Sequence, residues 1–381
     1  MRFKGLPRAY ALLGLAAAVA VGTLPLAAAP PLVSLTNDGK VLPGNVPQLK
    51  ARVQYWLDMI RDAKDDRAML EGRAGLVKDF GMSDNPDFRY TFGSVAGELA
   101  PTYLNLDSPA RQINVALALS RMNAIPIRPA LDLMIVHPNP AVRYLGWEGY
   151  RNIRLEVAAH PLDGPKMCAA IAKAAQAETS PLVIGEMFGT LTLPMVPPPS
   201  IPPDSIAKAR REFSRVFLTV WTLCCRKMLA GDTEFAETCR KGVDAARNFA
   251  LTPGADPDTT KKMLQALVDM AWCAAKAYDA AGANGPVADA AGGVLMECEA
   301  ALNASKNLQR NYLQAPLTDP SVPERGAAVR YGVTRWIDDL KADGVVQPDF
   351  KAPTTSATSG PAAPPARPAT ATAPAAPEAK M

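Results

Sequence analysis

The stretch from Pro129 to Ile153, PALDLMIVHPNPAVRYLGWEGYRNI, constrains the fold of this chain more than any other. Apolar residues at helical spacing precede the run His137-Pro138-Asn139-Pro140. That run cannot continue a helix, because proline lacks an N–H donor and disfavours the helical conformation in the residue before it. Asn139 and Pro140 then suit the N-cap and the first position of a new helix. The stretch therefore predicts two helices joined by a tight turn.

The turn of this predicted hairpin has a recognisable pattern. Its residues Asn139 to Arg143 resemble the Asp/Asn-Pro-x-Val-Arg turn of HEAT and armadillo repeats. A second helix start, at Ser180-Pro181, follows Pro140 by 181 − 140 = 41 residues, within the roughly 40 to 47 residues of such repeats. Large apolar or aromatic residues occupy the same positions after the two prolines. The equivalent pairs are Val142 with Val183, Trp147 with Phe188, and Tyr150 with Leu191.

The resemblance extends over roughly residues 108 to 192 and implies a stack of helical hairpins with an extended surface for another protein. It implies no catalytic residue. A further helix start, Ser108-Pro109, lies only 140 − 109 = 31 residues before Pro140 and has Arg111 at the valine position. This start is either a degenerate repeat unit or an unrelated helix.

Apolar residues at helical spacing predict further helices on both sides of this stretch. In the N-terminal half these helices begin near Val46, at Asp65 and at Pro86. The predicted helices of the second half are longer and rich in alanine, and extend over residues 205–230, 233–250, 257–281, 286–312 and 324–342. We therefore expect an all-α protein, with α-solenoid-like stacked helical hairpins followed by an Ala-rich antiparallel helical block.

Composition divides the chain into segments of different character. The predicted segments are a signal peptide (1–29), an extended lead-in (30–45), a HEAT-like helical repeat domain (46–195), a Pro-rich linker (196–203), a helical hairpin block (204–345) and a disordered tail (346–381). The linker follows from the proline-rich run Met195 to Pro203, which excludes helix. The tail is mostly Ala, Pro, Thr and Ser, and cannot bury enough apolar surface to fold.

The N-terminal segment predicts export. A basic start precedes an apolar run from Ala11 to Val21 and the small residues Ala27 to Ala29, which is the layout of a secretory signal. Pro30 and Pro31 directly follow the predicted cleavage point, and they leave an alternative open. In that alternative the N-terminus stays uncleaved and tethers the protein to the membrane. We expect a periplasmic or extracellular protein in either case.

The net charge argues against one class of partner. The formal charge of +4 includes Arg2, Lys4 and Arg8 of the predicted signal, so the rest of the chain carries 4 − 3 = +1. A chain so close to neutral has no strong electrostatic attraction to the phosphates of a nucleic acid. We therefore expect a protein partner and no nucleic acid.

Two pairs of cysteines flank predicted helical turns. One pair lies seven residues before and seven after Gly231-Asp232, so an antiparallel hairpin would bring the two cysteines level. The other flanks the turn from Gly282 to Gly285 at nine and thirteen residues. An exported protein meets oxidising conditions, which favour disulfides, whereas buried free thiols are the alternative. The predicted disulfides are Cys224 (or Cys225) with Cys239, and Cys273 with Cys298.

No constellation in the sequence points to a metal, a cofactor or a specific reaction. His137 and His160 each precede a proline at a predicted helix end, where capping is the ordinary role, and there is no Cys-x-x-Cys. The chain also lacks a Gly-x-Ser-x-Gly elbow and a Walker loop. A carbohydrate-active α/α enzyme would need a pair of carboxylates. The candidates for such a pair are Asp132, Glu148 and Glu156, although nearby arginines favour a solvated, salt-bridged face.

The hairpin itself supplies the candidate partner-binding residues. Tyr144, Arg151 and Arg143 are of types that often anchor protein interfaces. Trp147 is in phase with Phe188, which favours a place in the core. We expect an exported, non-enzymatic protein-interaction scaffold. The alternatives are a membrane-tethered structural protein of the cell envelope and, less favoured, a carbohydrate-active α/α enzyme.

Overall fold

A computed structural model describes residues 30–160, 162–196, 199, 201–252 and 255–350. Within these ranges the regular structure is helical, apart from one antiparallel bridge between Leu35 and Val41. The predicted all-α fold class is therefore confirmed. The predicted signal peptide at 1–29 lies outside the described residues, and so do residues 351–381 of the predicted tail (346–381). No helix of the described ranges is both long and apolar enough to cross a membrane.

The chain forms two compact units, Met1–Val216 and Phe217–Met381. The division lies within a single helix, whereas the sequence places a linker at 196–203, and that linker stays a prediction. The helices of the first unit are α1 (Val46–Arg61), α2 (Asp66–Phe80), α3 (Pro86–Leu104), α4 (Pro109–Ser120), α5 (Arg128–Met134), α6 (Pro140–Ala159), α7 (Asp163–Ala177), α8 (Pro181–Leu191) and the first half of α9 (Pro203–Leu229). The second unit contains the rest of α9, α10 (Ala236–Leu251), α11 (Pro257–Ala280), α12 (Gly285–Lys306), α13 (Gln314–Thr318) and α14 (Arg325–Leu340).

Helices α1 to α8 form a stack of hairpins in two rows. The first helices of the hairpins pack side by side, α1 on α3, α3 on α5 and α5 on α7. The second helices form the other row, α2 on α4, α4 on α6 and α6 on α8. Each hairpin therefore buries its apolar faces against its neighbours in sequence, which is the solenoid-like arrangement that the sequence predicts.

The helix that begins at Pro109 is a full member of this stack. It is α4, and it packs between α2 and α6 in the second row. The short spacing from Pro109 to Pro140 arises because α5, the first helix of the third hairpin, has only 7 residues where α1 has 16. A short 3-10 turn, Ile125–Ile127, precedes α5 and packs on α3.

Local capping explains where the helices of the first unit begin. Asn85 and Asn139 accept hydrogen bonds from the backbone N–H groups two residues on, at 2.8 Å and 3.0 Å, as the Asn-Pro pattern predicts. Ser180 does not cap α8 with its own side chain. The carboxylate of Glu178 orders the segment before α8, because its Oε1 accepts from the N–H groups of Thr179 and Ser180 at 3.0 Å and 2.9 Å.

Two glycines of α6 allow the third hairpin to close tightly. A Cβ atom on Gly146 would lie 2.8 Å from the Cβ of Met134 on α5. A Cβ on Gly149 would lie 2.6 Å from Leu131 and 3.1 Å from the backbone of Ser120 on α4. Both distances are too short for a side chain, so glycine is required where α6 meets α5 and α4.

In the second unit α11 packs against α10, α12 and α14. The predicted helix over 286–312 is too long, because α12 ends at Lys306 and Asn307 adopts a left-handed conformation with φ 51°. The buried carboxylate of Glu299 then holds the next segment, since its Oε1 accepts from the N–H groups of Tyr312 and Leu313 and from the indole N–H of Trp336. The predicted last helix, 324–342, agrees with α14.

Candidate functional site

The predicted partner-binding residues lead to one surface of the first unit, which we call the α6–α8 face. It comprises Tyr144 and Arg151 on α6, and Leu182, Glu186 and Gly189 on α8. Residues seven apart, or four and three apart, lie on the same side of a helix. Residues 183–188 of α8 are buried, whereas Leu182 is 76% exposed. Leu182 therefore marks the side of α8 that remains open.

Tyr144 lies at the border of this face. Its side chain is partly exposed, at 36%, and its hydroxyl hydrogen-bonds the carboxylate of Glu186. Burial and the negative charge of Glu186 raise the pKa of the Tyr144 hydroxyl. The ring is therefore oriented by the neighbouring helix while part of its surface stays accessible.

Arg151 has a structural task in addition to any binding role. Its Nη1 lies 2.8 Å from Oε1 of Glu186, whose side chain is only 6% exposed, whereas the Arg151 side chain is 41% exposed. A Cβ atom at Gly189 would lie 3.4 Å from the same Nη1, so the guanidinium lies next to this glycine on α8. Arg151 thus neutralises a nearly buried carboxylate and still presents charge to solvent.

Arg143 is committed to contacts inside the stack. Its Nε and Nη2 bind the two oxygens of Glu178 at 2.7 Å and 3.0 Å, and its Nη1 donates to the carbonyls of His137 and Pro138 at 2.9 Å each. All three guanidinium nitrogens therefore hold the third hairpin to the segment that begins α8. A partner-binding role for Arg143 stays a prediction.

Trp147 belongs to the core, as its phase with Phe188 suggests. Both side chains are fully buried. The hydroxyl of Thr190 on α8 donates to the carbonyl of Trp147 at 2.8 Å and so ties the two helices together. Trp147 is therefore unavailable as an anchor for a partner.

The candidate carboxylate Asp132 lies in a polar network that joins α5, α6 and α7. Arg128 binds Asp132 at 2.5 Å and Asp163 at 3.5 Å, and the Tyr150 hydroxyl donates to Asp132. His160 Nδ1 lies 2.9 Å from Asp163. Burial raises the pKa of Asp132, which the hydrogen bond from Tyr150 and the charge of Arg128 oppose. The network links three neighbouring helices, and nothing in it brings Glu148 or Glu156 to Asp132.

The histidines make the capping contacts that the sequence suggests. Nδ1 of His137 accepts from the N–H of Asn139 at 3.1 Å, and Nε2 lies 3.1 Å from the carbonyl of Leu104. Nδ1 of His160 accepts from the N–H of Asp163 at 3.3 Å. Across the described part of the chain, no three His, Cys, Asp or Glu side chains are grouped to hold a metal ion.

The predicted disulfides are not present in the structure, where all six cysteines are free thiols. Cys239 is next to Cys224 as predicted, but its thiol donates to the Cys224 carbonyl, 3.9 Å away, rather than forming a covalent bond. Cys273 differs more from the prediction, because its thiol neighbours Cys225 on α9 as well as Cys298 on α12. Cys273 and Cys298 lie at unequal distances from the turn between α11 and α12, at nine and thirteen residues.

Asp269 on α11 is a partly buried acid in the second unit. Burial raises its pKa from the ordinary value of 3.8 to about 6, and the hydrogen bond from Gln265 opposes that rise. The folded protein therefore favours the protonated carboxyl more than the unfolded chain does. This preference contributes stability that is complete below about pH 4 and lost as the pH rises through about 6.

Asp269→Asn is therefore expected to raise the free energy of unfolding by about 1–3 kcal/mol near pH 7, since the amide never has to ionise in its buried position. Urea unfolding of the variant and the wild type at several pH values from about 4 to 7 measures the effect. The advantage of the variant must shrink as the pH falls. The exposed Asp289→Asn is the matched control, and an advantage of Asp269→Asn that is independent of pH would contradict the assignment.

Sequence reasoning missed Leu182 and Glu186 as parts of the α6–α8 face. Helix α8 is apolar on nearly every side, so its periodicity does not show which side stays exposed. The exposed side of α8 could have been found by aligning α8 with α6, because the repeat pattern places Pro181 at the position of Pro140. In that alignment Leu182 and Ala141 are equivalent, and α8 has the larger apolar side chain on its open side.

Comparisons with known proteins add little to this description. No known protein family matches the chain in sequence, and no curated protein matches it. Among solved structures, one similar chain is the crystal structure of an engineered protein, with 15% identity, coverage of 77% of this chain and 98% of that chain, and a TM-score of 0.28. A likeness at that TM-score supports no conclusion about fold or function.

Proposed function

We propose that this chain is an exported, non-enzymatic protein-interaction scaffold built on HEAT-like repeats, and that its contact surface is the α6–α8 face. The observation that carries the proposal is the 76% exposure of Leu182, one helical turn before Glu186, the residue that both Tyr144 and Arg151 contact. A stack of hairpins presents an extended surface to a partner. Aromatic and arginine side chains are the residues most often found at the energetic centre of such contacts.

The chemistry of the α6–α8 face suits a folded protein or a peptide. Leu182 offers exposed apolar area, and Tyr144 adds an aromatic surface with a fixed orientation. Arg151 keeps a donor-rich group at the edge while its charge is balanced by Glu186. Burial of Leu182 and Tyr144 by a partner would remove apolar surface from water, at about 25 cal/mol per Å².

The repeat family and the export both rest on the sequence. The turn Asn139 to Arg143, and its phase with Ser180 to Leu191, support the HEAT-like type. The basic, apolar and small-residue order of residues 1–29 supports export. N-terminal sequencing of the protein from fractionated cells separates a cleaved, periplasmic form from the tethered alternative, whose N-terminus would begin before Ala27 and fractionate with membrane.

A photo-crosslinking side chain at position 182 is expected to give one discrete adduct, whose partner mass spectrometry identifies. Leu182→Asp should then weaken binding of that purified partner about tenfold or more, because a charge replaces the central apolar contact. Leu182 is 76% exposed, so both changes act mainly on the surface of the stack.

Leu162 provides the matched control, since it is 69% exposed in the same unit but lies before α7. The crosslinker at position 162 should give no such adduct, and Leu162→Asp should leave affinity unchanged. Equal adducts from the two positions, or full affinity of Leu182→Asp, would refute the proposed surface. Arg151→Ala is a poor test, because it leaves the nearly buried Glu186 without its ion pair.

A further inference from the structure

Five of the six cysteines come together in the core of the second unit. Cys224 and Cys225 lie on α9, Cys239 on α10, Cys273 on α11 and Cys298 on α12, and all five are fully buried. Isolated buried cysteines are ordinary, because cysteine is among the most buried residue types. Five thiols from four helices in one core are more than packing requires.

The vicinal cysteines of α9 contact different helices. Consecutive residues of a helix point about 100° apart, since there are 3.6 residues in each turn. The thiol of Cys239 on α10 donates to the backbone carbonyl of Cys224, with the sulfur 3.9 Å from that oxygen, so these two residues are in contact. Cys225 and Cys273 lie one and two helical turns beyond Trp221 and Ala266, where the indole N–H of α9 donates to a carbonyl of α11 at 2.8 Å, and their thiols are neighbours. Helix α9 thus has one sulfur contact to each of two neighbours.

From these contacts we infer that Cys224–Cys239 and Cys225–Cys273 are two sites of disulfide formation that link α9 to both α10 and α11. The pairing differs from the sequence prediction in its second bond and leaves Cys298 as a free thiol. It does not depend on the proposed binding surface. The proposed export bears only on whether the disulfides form in the cell, because an exported protein meets oxidising conditions.

The surrounding side chains are small enough for the helices to approach. A disulfide requires Cα atoms about 4.4–6.8 Å apart, closer than the usual distance of 8–10 Å between helix axes. Gly242 and Ala246 on α10 and Ala274 on α11 are all buried beside the cysteine positions. Residues without long side chains limit what must move when two sulfurs approach to bonding distance.

The reaction requires a disulfide-class oxidant, for which oxidised glutathione is a simple example. The thiolate of one cysteine attacks the oxidant's S–S bond, forms a mixed disulfide and releases one glutathione thiol. The partner cysteine then attacks the protein-side sulfur of that mixed bond and releases the second glutathione. Two protein thiols are oxidised to one disulfide, and one glutathione disulfide is reduced to two thiols that retain both protons.

Burial determines when this exchange can occur. The thiols of Cys225 and Cys298 have raised pKa values, because the apolar core disfavours the thiolate, which is the reacting form. Oxidant also has no access to a fully buried sulfur. The bonds should therefore form while the chain folds or when the helices open locally, and form very slowly in the folded, reduced protein.

The test is to refold the reduced, full-length chain in a buffer of reduced and oxidised glutathione, alkylate the remaining thiols, and map the bonds by mass spectrometry without reduction. The expected result is that Cys168 and Cys298 are alkylated and the other four cysteines are linked. Because Cys224 and Cys225 share a peptide, Cys239→Ser should free one of them and retain the bond to Cys273. The converse holds for Cys273→Ser, and Cys298→Ser should change neither bond.

A second measurement keeps the inference testable where a serine variant fails to fold. The oxidised wild type should unfold at a higher urea concentration than the reduced wild type. Reductant added to the folded, oxidised protein should leave this difference unchanged, because the disulfides are buried. Reductant added after unfolding should remove the difference in the next unfolding measurement. Six alkylated thiols after refolding, or a linked peptide that contains Cys298, would overturn the inference.

Discussion

Glu178→Ala is expected to lower the free energy of unfolding of the first unit by about 3–5 kcal/mol, because it breaks a buried ion pair from one side. The Glu178 side chain is 1% exposed and binds Arg143 through both oxygens. The same carboxylate accepts the backbone N–H groups that precede α8. Its removal leaves a mostly buried guanidinium without its counter-charge, and it leaves the N–H groups of Thr179 and Ser180 without their acceptor.

Urea unfolding, followed by circular dichroism, measures this loss. Glu71→Ala is the control, because the Arg67–Glu71 pair of α2 is exposed, and such pairs contribute about 0.2–1 kcal/mol. Glu178→Ala combined with Arg143→Ala should cost less than the sum of the single changes, since both remove the same interaction. Additive losses would show that Arg143 and Glu178 do not stabilise the unit through a shared interaction. The role of Arg143 would then be partner binding rather than stability.

Asp79→Ala is expected to cost a similar amount, about 3–5 kcal/mol, and to release the N-terminal lead-in. Arg52 binds both oxygens of Asp79, at 2.5 Å and 3.0 Å, in a buried site between α1 and α2. The indole N–H of Trp56 donates to the same carboxylate. Arg52 also donates to the carbonyl of Pro30, so the position of its guanidinium fixes the segment that precedes α1.

Hydrogen exchange distinguishes this prediction from a general loss of stability. In Asp79→Ala the amides around Val33, which is buried in the wild type, should exchange faster than those of α5 and α6. Glu98→Ala, which removes the exposed Lys50–Glu98 pair, should alter neither stability nor exchange appreciably. Uniform acceleration throughout the unit would argue against a specific tie between Arg52 and the lead-in.

Short sequence patterns were sufficient to predict where several helices begin. The Asn85-Pro86 and Asn139-Pro140 helix starts depend on residues adjacent in sequence, and the structure has both caps. Helix α7 was missed because it begins after Leu162, which makes no side-chain cap bond. The five-residue α13 is too short for its periodicity to be recognised.

Contacts between residues far apart in the chain could not be predicted from the sequence. The Arg143–Glu178 pair joins residues 35 apart, and no spacing rule links an arginine in one turn to a carboxylate before the next. The cysteines show the same limit. Symmetry about a turn correctly made Cys224 and Cys239 neighbours, whereas the contact of Cys225 with Cys273 depends on how α9 packs against α11.

The two-row stack also has a consequence for the order in which the chain acquires structure. Successive hairpins in the stack from α1 to α8 pack on one another. Contacts between sequence neighbours need only short loops to close, so they form quickly and in any part of the chain. A chain that emerges with its N-terminus first can therefore add one hairpin at a time to a surface that is already folded. Only the last hairpin then exposes its apolar side while it waits for the next to arrive.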